Sequence, residues 1–443
     1  MLDIKGIYLG VATASSQIEG GEVGSNWNAY SDAGKITDGS NVKRAADHWN
    51  RYEEDIALMK ELGVKYYRMS LEWSRLEPVQ GQFDDAAFEH YRKEIQLMKD
   101  LGIYVLLTFY HFSHPIWFED LKSFEKEDNI PIFLAYVQEV VKRLGDLVDD
   151  YCTINEPNVY AVNSYFLAEW LHEEKDFFKT TKVLSIFATS HILIYKWIHD
   201  YYRKQDLGPV TVTFAMHMRY FQPATHSPLD RFGTKALDFL FHTGVFKAFA
   251  LGKFSYPFKN MAKVEQGQYI DYIGVNYYSR GLIKGFEDTV KQDAIKNDLG
   301  WEIYPEGIGK VCQALHDILP LTIRITENGT CDNTDSFRCR FIYEHLKALV
   351  DSGLPVTHYY HWCFTDNFEW KEGELPRFGL IHLNYDNQKR TPKFSFYFYK
   401  KLIEKGEVDQ ECYEEFVEPS HYHHGEKDIL TGLLPDEELR NKR

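Results

Sequence analysis

The sequence has no cysteines at the spacing of a metal site or a disulfide framework. Its six cysteines, Cys152, Cys312, Cys331, Cys339, Cys363 and Cys412, are scattered through 443 residues, and neither CxxC nor a Cys/His zinc pattern occurs. Such a set reads as reduced thiols, so the expectation is a cytoplasmic protein that holds no metal. An excess of positive charge is also missing. The net charge of −16 excludes a general binder of nucleic-acid backbones and favours solubility. No apolar run is long enough to span a bilayer, so no membrane partner is expected. The apolar opening "GIYLGVATA" lacks the basic flank and the length of a signal peptide. No GxGxxG opens a helix after the first apolar run, so a dinucleotide cofactor has no support.

Aromatic residues are plentiful, at 16% of the chain. They suit a large core, and they also suit surfaces that stack on sugars, because the rings offer flat apolar faces. Core packing is the expected role of most of them.

The chain repeats a unit. "IALMKELGVKYYRMSLEW" (56–73) resembles "IQLMKDLGIYVLLTFYHF" (95–112), and "LKALVDSGLPVTHYYHW" ends a third copy at Trp362. Trp49, Tyr52, Ile56 and Met59 recur at helical steps, as do Phe88, Tyr91, Ile95 and Met98. Each helix stops near a glycine, Gly63 or Gly102, suited to a left-handed cap. A strand-like run follows each time. Helix, glycine and strand in repetition imply parallel strands joined by helical crossovers. Strands are predicted at 7–12, 66–72, 104–110, 150–155, 210–217, 271–278, 322–327 and 358–363. Eight such strands point to an α/β fold, a single (β/α)8 barrel (TIM barrel), whose site lies at the C-terminal strand ends. An open doubly wound sheet is the alternative.

The barrel reading carries its own test, because unusual polar residues should gather at the strand tips. Strand one leads to Gln17 and Glu19, and strand two carries Arg68. Strand three ends in His111, and strand four in Asn155 and Glu156. Strand six ends in Asn276 and Tyr278, strand seven in Glu327, and strand eight in Trp362, with Glu369 and Trp370 following. A lone histidine is usually a core residue, and a lone strand-end glutamate is usually solvated. Their convergence on one face is harder to dismiss. Two glutamates on facing strands suit glycoside cleavage, which needs two carboxyl groups flanking the bond. One protonates the leaving oxygen, and in a retaining enzyme the other attacks the anomeric carbon. Their proton affinities must differ. Arg68 and Tyr278 are placed to keep Glu327 ionised.

"TINEP" (153–157) and "ITENG" (325–329) resemble the two active-site signatures of glycoside hydrolase family 1, the β-glucosidase family. The resemblance continues through "GVATASSQIEGG", "YYRMSLEWSRLEP", "DYIGVNYYSRG", "TDNFEW" and "RFGLIHLNYDNQKRTPK", from about residue 5 to residue 404. It implies a retaining enzyme on a (β/α)8 barrel, with Glu156 as general acid/base and Glu327 as nucleophile. It further implies that Asn155 holds the 2-hydroxyl of the sugar and that Gln17 and His111 bind the 3- and 4-hydroxyls. Glu369 would take the 4- and 6-hydroxyls, Trp362 would form the floor under the ring, and Trp370 would touch it from the side. Arg68, Asn276 and Tyr278 would support Glu327. No cofactor is implied.

The members acting on 6-phospho-sugars carry Ser where Glu369 stands, and Lys and Tyr seven and nine positions later. Here those later places hold Pro376 and Phe378, so the expected substrate is a terminal, unphosphorylated β-linked sugar. Glucosides lead, with galactosides and fucosides as further substrates. A transglycosidase would use the same residues, and a non-catalytic binding barrel is the third reading.

Several positions depart from the family pattern. Phe112 stands for a Trp at the edge of the sugar pocket, and Asn158 follows "NEP" where Trp is common. "DNTDSFR" is closer to the archaeal-type branch. The segment "AEWLHEEKDFF" (168–178) replaces a Gly- and Pro-rich loop, with Trp170 and Phe177 as candidates to line the leaving-group side. The chain from residue 405 to 443 is predicted to be an extension packed on the barrel or on another subunit, the latter allowing a homo-oligomer. Its His421, His423 and His424 are a remote metal candidate.

Overall fold

The computed structural model describes residues 1–422. Eight parallel strands form one closed barrel: β1 Tyr8–Ala12, β2 Tyr66–Ser70, β3 Tyr104–Tyr110, β4 Asp150–Asn155, β5 Thr211–Pro223, β6 Ile273–Lys284, β7 Ile323–Asn328 and β8 Val356–Trp362. Each pairs with the next in chain order, and β8 pairs with β1 to close the ring, from His358 opposite Tyr8 to Trp362 opposite Ala12. The barrel expected from the repeats is therefore the observed fold, and the open sheet is excluded.

The repeated glycines end their helices as the sequence suggests. The helix His48–Leu62 stops at Gly63 (φ 86°), and Arg338–Ser352 stops at Gly353 (φ 66°). Helix Asp85–Asp100 ends two residues before Gly102, which takes the left-handed conformation at φ 71°. Its start is set by Asp84, whose carboxylate accepts from the backbone N–H groups of Ala86 and Ala87. The inward faces of these helices, Ile56 and Met59 in one and Tyr91, Ile95 and Met98 in the other, are buried against the strands.

Two strands run further than expected. β5 and β6 pass their predicted ends at 217 and 278, and their pairing continues from Tyr220 opposite Arg280 to Pro223 opposite Ile283. Glu287–Thr289 folds back on β6 as an antiparallel strand. Arg219, Gln222 and Arg280, set among apolar residues, break the alternation and hide its strand character in the sequence. The ribbon rises above the rim and makes Asn276 and Tyr278 mid-strand residues.

At the opposite end, Leu2–Asp3 pairs antiparallel with Glu407–Val408. Beyond the predicted boundary at 404, Phe416 and Val417 are buried, and Arg340 Nε donates to the Ser420 carbonyl at 2.6 Å. His423 and His424 lie outside the described residues. Among the described residues, no group of three metal-ligating side chains occurs, and no helix is long and apolar enough to cross a membrane.

Candidate active site

Glu327 stands at the end of β7, where Ile323 and Ile325 anchor the strand in the core. The next turn needs a glycine. A Cβ on Gly329 would lie 1.7 Å from the Trp362 carbonyl oxygen, so the chain passes β8 at backbone contact. Asn328 fastens the same tip on both sides. Its amide donates to the Tyr277 carbonyl at 2.6 Å, and its oxygen accepts from Tyr359 at 2.8 Å.

The Glu327 carboxylate, 3% exposed, is gripped on both oxygens. Arg68 Nη1 donates to Oε1 at 2.5 Å, and the Tyr278 hydroxyl donates to Oε2 at 2.6 Å. Arg68 is itself fully buried. Its Nη2 donates to Asn155 Oδ1 at 2.6 Å, and its Nε reaches Thr108 at 3.3 Å. One cation thus ties the tips of β2, β4 and β7 together.

Glu156 follows β4 directly and begins the helix Pro157–Tyr165. Pro157 fits there because the first helical residue has no use for its N–H. Glu156 itself is held at φ 39°, ψ 59°, a left-handed conformation that costs a non-glycine residue about 1 kcal/mol or more. Phe112 (φ 68°) and Trp370 (φ 47°) are held in the same way beside it. Glu156 Oε1 receives the Asn276 amide at 2.9 Å and lies 2.9 Å from His217 Nδ1.

Three carboxyl groups, Glu156, Glu327 and Glu369, face one another around a single arginine. Burial, with Glu156 adding to it, pushes Glu327 up to about 7 against the pull of Arg68 and Tyr278. Burial and the two other carboxylates push Glu369 up to about 8. Burial and the Arg68 charge hold His111 neutral, well below the usual histidine range. Asn155 Nδ2 donates to His111 Nε2 at 2.9 Å, which leaves the proton on Nδ1. That Nδ1 and the Oε1 of Gln17 are buried without hydrogen-bond partners. A buried donor and a buried acceptor left open in one cleft suit a ligand rich in hydroxyl groups. Gln17 Nε2 is fixed to the Phe368 carbonyl at 2.8 Å and approaches Glu369 Oε2 at 3.3 Å. The His111 ring lies nearly parallel to both Trp362 and Trp370, at 5.8 and 5.7 Å.

The structure brings together Gln17, Arg68, His111, Asn155, Glu156, Asn276, Tyr278, Glu327, Trp362, Glu369 and Trp370. Asn276 is the one whose partner differs. It was expected to support Glu327, but its amide donates to Glu156 and to Asn155 Oδ1 (3.0 Å), while Thr326 Oγ1 donates to its oxygen. Asn276 sits beside Glu327 in register, and its side chain reaches across to β4 rather than sideways. Glu19 is not in the cleft; it pairs with Arg75 behind it. Asn158 does not face the leaving-group side. It is buried, and its amide donates to the carbonyls of His217 and Phe241. Among the described residues, the ring contacts of Phe177 are to Phe166 and Phe178. Trp170 does reach the mouth, where Trp27, Phe112 and Trp370 surround it at 5.2–6.1 Å. The Arg377 guanidinium is turned to the Leu383 carbonyl and to Asp366.

Two residues escaped the sequence reading. Trp27 lies remote from every strand tip and gave no signal. His217 did give one, because it closes the predicted strand 210–217, the one strand with no nominated tip.

The chain matches the model of glycosyl hydrolase family 1 over residues 5–408. It belongs to that family. Beta-glucosidase A of Acetivibrio thermocellus is 30% identical over 90% of this chain and 97% of its own length. A beta-glycosidase from Pyrococcus horikoshii superimposes with a TM-score of 0.84 at 32% identity, covering 94% of this chain and 96% of that one. The beta-glucosidase from Thermotoga maritima, solved in complex with glucoimidazole, gives 0.81 at 26% identity over 91% and 99%. The protein is thus a glycoside hydrolase, and its cleft at the C-terminal barrel rim is where family 1 chemistry must be sought.

Proposed function

We propose that the protein is a retaining β-glucosidase that acts on terminal, unphosphorylated β-glucosides through a covalent glycosyl-enzyme intermediate. The observation that carries this reading is the grip of Arg68 and Tyr278 on Glu327, with Glu156 on the neighbouring face joined to it through Asn155 and Asn276. Two charge-assisted donors favour the anionic form of Glu327. The reaction requires Glu327 to be ionised while Glu156 carries the proton. In the first step the Glu327 carboxylate bonds to the anomeric carbon while the glycosidic C–O bond breaks. Its electron pair leaves with the oxygen, which takes the Glu156 proton. In the second step Glu156 removes a proton from water, the water oxygen bonds to the anomeric carbon, and Glu327 departs.

The sugar preference rests on Glu369. A phosphate at position 6 would enter a pocket that already holds three carboxyls, and the Arg377 guanidinium is engaged with the Leu383 carbonyl and Asp366. Carboxyl and amide groups at Glu369 and Gln17 accept an axial or an equatorial 4-hydroxyl, so β-galactosides and β-fucosides are proposed as secondary substrates.

A panel of nitrophenyl β-glycosides, with and without 6-phosphate, tests the substrate class, and activity confined to the phosphorylated sugars would overturn it. Glu327→Gln is expected to lower turnover by a factor on the order of 10⁴ or more. Glu156→Ala is expected to be rescued by azide with formation of the β-glycosyl azide. An α-azide product would exclude the retaining course.

A further inference from the structure

The cleft contains one group that the mechanism above does not use. His217 follows the buried run from Val212 to Met216 of β5, and the register of β5 on β6 sets it directly beside Asn276. Both side chains point into the barrel, and both end on the same atom, Glu156 Oε1, at 2.9 Å each. The Asn276 amide is oriented, because Thr326 Oγ1 donates to its oxygen at 2.6 Å, so its nitrogen is the one turned to Glu156. The His217 ring is held on two sides. Tyr278 lies nearly parallel at 5.9 Å and Phe241 meets it edge-on at 6.1 Å. Its carbonyl is fixed by Asn158 at 2.8 Å. The contacts from described side chains thus fall on Oε1 of Glu156.

We propose that His217 is a positioning residue for Glu156, acting with Asn276 to keep Oε1 an acceptor so that the acid proton sits on Oε2. The proposal rests on the reading of Glu156 as the acid/base. A carboxylic acid has two places for its proton, and only one of them serves a given leaving oxygen. With the Asn276 amide and the imidazole Nδ1–H both donating to Oε1, the proton is excluded from that oxygen. Once the proton has been given up, the same two donors stabilise the carboxylate that activates water. The other tautomer, with Nδ1 unprotonated, would draw the proton onto Oε1, towards the protein. Glu156 also faces Arg68, Glu327, Tyr278 and Glu369 across the cleft, and His217 has His242 and Arg219 behind it. None of these donates to Oε1.

His217→Phe keeps the packing against Tyr278 and Phe241 and removes the donor. His217→Asn returns an amide N–H near the place of Nδ1. For an alkyl β-glucoside, H217F is expected to lower kcat/KM by about 10-fold or more, the scale of one hydrogen bond to a charged group. For the 2,4-dinitrophenyl glucoside, which needs no proton, the loss in kcat/KM should stay under about 3-fold. The alkaline limb of the kcat/KM profile should move to higher pH, since a carboxylate that loses a donor holds its proton more tightly. H217N should restore most of both. In a Glu156→Ala background, H217F should change nothing further. Equal losses on both substrates with an unmoved alkaline limb would overturn the proposal, as would additive losses in the E156A background. E156A alone separates the two readings. If it slows both substrates equally, the acid/base assignment fails; if it spares the dinitrophenyl substrate and H217F does not, only the role of His217 fails.

Discussion

Arg68 Nη2 and Asn155 Oδ1 stand 2.6 Å apart, and through that contact the cation that holds Glu327 also holds the residue beside Glu156. The two carboxyls are therefore coupled mechanically as well as electrically. Asn155 relays Arg68 to His111 on one side and receives Asn276 on the other, so displacement of any one of them is felt at both glutamates.

Tyr278→Phe removes the donor to Glu327 Oε2. The hydroxyl lowers the proton affinity of Glu327, so its loss raises it. The acid limb of kcat/KM is expected to move to higher pH, and kcat to fall by about 10²-fold. A pH-rate profile on an aryl β-glucoside checks both.

The crowded carboxyls give stability a defined pH dependence. Glu327 (about 7) and Glu369 (about 8) both hold protons that the unfolded chain releases near 4.5. At these two groups the folded form binds more protons than the unfolded form between about 4.5 and about 8, so their contribution to stability falls as pH rises through that window. Glu369→Gln removes one of the two groups. Its Tm should exceed that of the unaltered protein by about 2 °C or more at pH 8, with little difference at pH 4.5. Thermal melts at the two pH values measure this.

Gly329→Ala places a methyl group at 1.7 Å from the Trp362 carbonyl. Backbone faces it, so nothing can swing away. The variant is expected to lose about 3 kcal/mol or more of stability or to displace Glu327 with loss of turnover. Chemical denaturation and activity, read together, detect either.

Trp170→Ala empties the space between Phe112, Trp27 and Trp370. Trp170 belongs to the segment 168–178, which departs from the family's usual loop. The expected result is a rise in KM for aryl and oligosaccharide glucosides by about 10-fold, with kcat altered less, since packing at the mouth affects binding before chemistry. Steady-state kinetics on two aglycones shows the split.

The sequence made much of this legible. The eight strands could be read because each crossover repeats the same pattern, and the polar residues at strand tips stand out against apolar runs. Arg68 with Glu327, and Asn155 with Glu156, follow from those tips alone. What escaped was lateral. Asn276 neighbours Glu327 in register yet serves Glu156, and that choice depends on where Thr326 turns its amide. The continuation of β5 and β6 above the rim was hidden by Arg219, Gln222 and Arg280, which break strand alternation. Asn158, a departure from the motif expected to face the leaving group, is a buried tether, because its amide is spent on two backbone carbonyls. Trp27 is brought to Trp370 at 4.8 Å by the short helix Asn26–Asp32, away from any strand end, and no local pattern announces such a contact.

The pairing of β8 with β1 also has a temporal meaning. The ring closes only when residues 356–362 lie on residues 8–12, the most distant partners in the barrel. Strand eight delivers Trp362 to the cleft in the same act. Nearly the whole chain must be made before its first strand finds its last neighbour, and contacts of such long range are slow to form. A truncated or nicked product that lacks this strand has both glutamates but no sealed wall behind them. The contact that closes the ring is thus also the one that sets Trp362 in the cleft.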